Sequence, residues 1–221
     1  MWWMDAGLVA ARRARMGGRG RGTGMRDVES LLARAAGHVV DDGLDYAGAK
    51  QKAAKALGHR GSLPSNEALE DAVREHIAVF HADEQPGELR ALRALALDWM
   101  QRLQPLRPHL SGAVWRGTAT RRSAVMIDLY CDDPKAAELL LLDQGLAFEA
   151  GPAGAASRHG DTCDVLSLWV PCRPLGERVM LHLWVHDLDD LRGALKPDAR
   201  GRAWRGDAAA VARLLAPEVA P

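Results

Sequence analysis

Apolar residues recur at helical spacing through the first half of the chain and at strand spacing through the second. Val28, Leu31, Leu32, Ala35, Val39 and Val40 fall three or four apart and predict a helix from Arg26 to about Val40. An Ala-rich helix is expected over Tyr46 to Leu57, with Lys50, Lys52 and Lys55 on its polar side and Gly58 as its C-cap. A third begins after Pro64, where Ser65 or Asn66 can cap open amides and Glu67, Glu70 and Asp71 oppose the positive end of the dipole. Leu69, Val73, Ile77 and Phe80 form its apolar stripe. A fourth spans about Gly87 to Leu103 and is stopped by "QPLRPHL".

Beyond the proline stop the period changes. "GAVWRG", "SAVMIDLYC", "AFEA", "DVLSLWVP" and "RVMLHLWV" read as strands, with Trp115, Trp169 and Trp184 inside them. "DPKAAELLLLDQGL" and "GDAAAVARLLAPEV" read as helices, and "HDLDDLRG" as a helix start with Asp189 or Asp190 near its amino end. "PAGAASRHGDT" is expected to be a hairpin loop. The sum is an α+β protein in three parts: an extension over 1–24, a helical region over 25–107, and a small mixed sheet with flanking helices over 108–221. The extension, rich in Arg and Gly, has the composition of a disordered tail or a wrongly extended gene start, with translation beginning at Met25.

Composition narrows the partners. The 221 residues carry 29 basic and 29 acidic side chains, so no global field draws the chain to nucleic acid or to an anionic membrane. Three cysteines without a CxxC pair fit a reducing cytoplasm, and no apolar run is long enough to span a bilayer. Thus neither membrane nor nucleic acid is an expected partner.

Candidate chemistry concentrates in "GTATRRSAVMIDLY" over 117–130. Gly117 and Thr118 are a turn without side-chain obstruction beside a hydroxyl, Ser123 adds a second hydroxyl, and Arg121 and Arg122 supply positive charge. Such a run suits a phosphate. The order of elements and the match of Gly117, Thr118, Ala119 and Ser123 resemble the DNA polymerase β-like nucleotidyltransferase superfamily, in which Gly-Ser or Gly-Thr precedes a strand with two metal-binding acids. The wider run over about 25–215 also looks like a little-studied proteobacterial group with a helical region before such a domain.

That resemblance implies a nucleotide bound at the turn and Mg²⁺ held by acids two apart on one strand face, with a third on a neighbouring strand. Here the first two positions are Ala124 and Met126, and the third falls at His182. The expectation is therefore a degenerate member that binds nucleotide or phosphate in a regulatory or scaffold role, without ordinary transfer and with no resident cofactor. Two other readings stay open on the residues alone. An active Mg²⁺-nucleoside triphosphate enzyme would use displaced acids, Asp128 with Asp187, Asp189 or Asp190. A helical module would bind DNA or a protein partner, although the acids opening its third helix repel DNA phosphates.

Two further constellations carry less. His182 and His186 share a strand face about 13 Å apart, too far for one zinc ion. Cys172 lacks a partner that would activate a thiol.

Overall fold

The computed structural model describes residues 22–151, 155–156, 162–198 and 200–216. The expected extension lies outside the described residues up to position 21, and Gly22–Gly24 already belong to the first helix. Most of the expected hairpin loop between Pro152 and Asp161 lies outside them too.

Four helices come first: α1 (Gly22–Val40), α2 (Tyr46–Leu57), α3 (Asn66–Phe80) and α4 (Gln85–Arg102). The expected caps are in place. Ser65 Oγ accepts from the Ala68 amide at 3.1 Å, and Gly58, with φ +63°, closes α2 through its own amide on Ala54 and Lys55 carbonyls. Two compact units divide after His76. In the first, Leu31, Ala35, Ala36 and Val40 of α1 are buried, as are Ala49 and Ala53 of α2, whose small side chains let a neighbouring helix come near. Asp42 ties the α1–α2 corner, taking Lys52 Nζ at 2.8 Å and His38 Nδ1 at 2.7 Å.

The second unit holds α4 and the sheet. Its elements are β1 (His109–Ser111), α5 (Gly112–Arg116), β2 (Val125–Cys131), α6 (Ala136–Asp143), β3 (Glu149–Ala150), β4 (Ala155–Ala156), β5 (Thr162–Cys172), β6 (Glu177–Asp187), α7 (Leu191–Ala194), β7 (Arg205–Gly206) and α8 (Ala208–Leu215). The sheet is mixed, in the order β3-β5-β6-β2-β1-β7, with β4 on β5. β2 and β6 run parallel and the other pairs antiparallel. Across it Leu166, Leu183, Ile127 and Leu110 form one buried row. Against that face pack Leu92, Ala96, Trp99 and Met100 of α4, Leu141 of α6 and Val211 of α8. Whereas the sequence set a boundary at 107–108, α4 shares its core with the sheet.

One expected element differs. "GAVWRG" is the helix α5, so Trp115 is helical rather than stranded. The chain turns into it at Gly112, with φ +68°, and leaves at Gly117, with φ +80°, and one helical turn between two glycines is too short for its period to show. After β6 a 3₁₀ turn at Leu188–Asp190 leads into α7 with Asp189 and Asp190 at its amino end, as expected, and Asp187 Oδ1 accepts from the Asp189 amide at 2.9 Å.

Candidate functional site

The turn at Gly117 is packed from below by α4. Gln85, nearly fully buried, donates its Nε2 to the carbonyls of Gly117 at 3.2 Å and Ala119 at 2.8 Å. Arg93 Nε donates to Val114 O at 3.2 Å, and burial holds its guanidinium below the usual arginine range. Thr118 and Thr120 are buried.

The main-chain donors of this turn are spent internally. The amides of Gly117 and Thr118 reach Ala113 O, the Thr120 amide reaches Ser123 Oγ at 3.1 Å, and the Ser123 amide returns to Thr120 O at 2.8 Å. Ser123 thus closes the turn. Arg121 gives its amide to Glu88 at 2.9 Å and its Nε to Glu177 at 3.0 Å. Its guanidinium is held above its ordinary range by the Glu177 hydrogen bond first, and by the charges of Glu177, Glu88 and Glu84. Arg116 is engaged with Asp198 at 3.3 Å and lies over the Trp204 ring at 4.9 Å. Of the three arginines, Arg122 is the exposed one that makes no ion pair among the described residues.

Replacing Gln85 by Ala removes the side-chain donor from one buried and one part-buried carbonyl. The expected loss is about 1–3 kcal/mol in urea melts, with the turn's amides exchanging faster than those of β2.

Past the turn, β2 displays alternate residues on the face away from the apolar core. One row reads Ser167, His182, Met126, Ser111 and Arg205 across neighbouring strands; the next reads Val165, Trp184, Asp128 and His109. Met126 and His182 are therefore direct neighbours, as the resemblance expects for two of its acid positions, and neither is an acid. His182 takes a 2.9 Å hydrogen bond with Ser167 Oγ, and burial lowers its pKa, which favours the neutral ring. Two neutral side chains offer no cage for Mg²⁺.

Asp128 lies two residues further along and is buried. Its carboxylate is bracketed by Arg205 Nη1 at 3.3 Å and His186 Nε2 at 3.4 Å. Arg205 Nη1 also donates to the Tyr130 hydroxyl. Tyr130 stacks on His186, their ring centroids 5.2 Å apart, and meets the His109 ring edge-on. Burial, with the Asp128 charge adding to it and Arg205 opposing it, pushes the Tyr130 pKa up to about 12.

Asp187 pairs in register with Cys131, and Asp128 with Trp184. An offset of three puts the two acids on opposite faces about 10 Å apart along the strands, so they do not meet as a displaced metal pair. Tyr130 was within reach of sequence reasoning, since it shares strand parity with Asp128. Arg205 sits in a two-residue strand 77 positions away and gave no local sign.

The Tyr130 shift has a direct spectroscopic consequence. With only two tyrosines in the chain, alkaline difference absorbance is expected to show one phenol ionising near pH 12, absent in Tyr130→Phe. Because the folded pKa lies above the unfolded value of about 10, the phenol's contribution to stability is complete below pH 10 and is lost as pH rises towards 12.

At the carboxyl ends of β2 and β6 the surface opens into a pocket of about 250 Å³ lined by Cys131, Asp132, Cys163, Asp164, His186 and Asp187 with two apolar neighbours. The three cysteines form no disulfide. Burial raises the Cys131 pKa, and the charges of Asp133, Asp132 and Asp187 raise it further, so this thiol is a poor nucleophile. Among the described residues no helix is long and apolar enough to cross a membrane. Compared with protein-family models, curated proteins and solved structures, the chain matches none.

Proposed function

We propose that the sheet unit is a nucleotidyltransferase-like domain that binds a nucleotide or phosphate without metal-dependent transfer, and that the protein serves a regulatory or scaffold role. The observation that carries this reading is the register of β2 on β6. It sets Met126 beside His182 where transfer chemistry needs carboxylates on both strands. The opposite orientations of Asp128 and Asp187 speak against a rebuilt metal pair, and each acid is already engaged: Asp128 with Arg205 and His186, Asp187 with the Asp189 amide.

Since the turn's amides are largely closed within the fold, the phosphate contact falls chiefly to the exposed Arg122 guanidinium, which can meet two phosphate oxygens at once. The test is calorimetric titration of the full chain with ATP, GTP, CTP and UTP, with and without Mg²⁺. Binding is expected without metal and about tenfold weaker in Arg122→Ala, the loss of one charged hydrogen bond. A strict requirement for Mg²⁺ would return the displaced-acid enzyme to favour, and the absence of binding for all four would remove the nucleotide reading.

A further inference from the structure

Helix α6 (Ala136–Asp143) reads "AAELLLLD", with four leucines in succession over 139–142. A helix that is apolar on every side belongs in an interior, yet this one is covered on one side alone. Ala137 and Leu141 are buried in the core of the sheet unit, and Ala136 and Leu140 pack at its margin. Leu139 is 56 % exposed and Leu142 60 %. Leu139 lies two positions from both Ala137 and Leu141, about 200° round the helix from each, and so points away from the core. Leu142, three positions on, shares its face.

Charge frames this outward face with opposite signs. Lys135 stands four positions before Leu139 and Asp143 four after it, each on the same side of the helix and about 6 Å away along the axis. Lys135 Nζ donates to Glu138 at 2.7 Å and is 60 % exposed, and an ammonium has two further donors for another carboxylate. The Asp143 carboxylate is exposed and makes no hydrogen bond or ion pair among the described residues. The face therefore complements itself when turned end for end. With Leu139 on a two-fold axis, Lys135 of each copy meets Asp143 of the other. A parallel pairing would set Lys135 against Lys135 and Asp143 against Asp143, and an antiparallel slide that joins Leu139 to Leu142 would set Glu138 against Asp143. Charge thus selects one arrangement.

We propose that α6 is the contact through which two copies of this chain associate, antiparallel and two-fold, with Leu139 on the axis. Two exposed leucines a side make a small contact, so the association is weak and reversible rather than obligate. It rests on nothing at the Gly117 turn and stands or falls apart from the nucleotide reading.

The experiment is sedimentation equilibrium on the full chain at concentrations up to ~1 mM, where weak specific pairs become populated. A monomer–dimer equilibrium is expected. Leu139→Lys sets two ammonium groups together on the axis and is expected to abolish it. Lys135→Asp and Asp143→Lys are each expected to weaken it about tenfold, and the double variant to restore it, because its ion pairs are reversed rather than lost. Both changes suit the helix dipole, with acid at the start and base at the end, which keeps the fold intact. Since the three native cysteines are buried, Leu139→Cys is expected to cross-link two copies on treatment with diamide, and Leu214→Cys, on the exposed side of α8, to do so far less. A dimer unmoved by Leu139→Lys, no recovery in the double variant, or equal cross-linking at both positions would each overturn the proposal. So would a monomer at every concentration, which would leave the face to a partner of another kind.

Discussion

Asp128→Ala is expected to lower the unfolding free energy by about 3–5 kcal/mol, a large part of the 5–15 kcal/mol typical of a domain. The reason is the Arg205 guanidinium. Its side chain is 6 % exposed and it lies 3.3 Å from the Asp128 carboxylate. Losing Asp128 takes away the carboxylate that offsets the desolvation of this buried positive charge. It also removes the group facing His186 Nε2. The double variant Asp128→Ala with Arg205→Met is expected to recover most of the loss, because no charge then remains in place. Guanidinium chloride melts of the two single variants and the double variant check this. A loss under about 1 kcal/mol for Asp128→Ala would mean that water reaches Arg205 freely.

Gly206→Ala is the second large effect. A Cβ at this position would fall inside the van der Waals envelope of the Trp115 six-membered ring. The ring has little room to yield, since its Nε1 donates to Ala203 O at 2.8 Å and α5 fixes its backbone. Overpacking of this kind costs about 1–3 kcal/mol, and this contact belongs at the upper end. Thermal melts are expected to show a clear drop for Gly206→Ala and almost none for Gly193→Ala, where no atom lies near the added carbon. In a Trp115→Phe background, which removes the outer ring atoms, Gly206→Ala is expected to cost less than in the native chain. Equal costs in both backgrounds would assign the effect to the backbone instead.

Both predictions concern the short strand β7, which illustrates where sequence reasoning stops. Helices α1 to α4 are legible because their apolar stripes repeat over three or more turns, and their caps at Ser65 and Gly58 follow from local backbone chemistry. β2, β5 and β6 are legible because they alternate or run apolar over seven to eleven residues. Helix α5 and strands β1 and β7 are not, since two to five residues contain less than a period of either pattern. The candidate site divides in the same way. Gly117, Thr118, Arg121, Arg122 and Ser123 lie within seven positions and were singled out together, but which of their donors remain open depends on Glu88 and Glu177 from other elements.

The sequence by itself determined an α+β chain with helices first and a sheet after, and placed neutral residues at Ala124, Met126 and His182, because these are properties of local period and residue type. Only the tertiary structure decided that Met126 faces His182, that Asp128 is enclosed by Arg205 and His186, that Asp187 turns to the other face, and that a pocket opens where β2 and β6 end. Strand register and burial arise from packing between distant segments, and no local pattern in the chain records them.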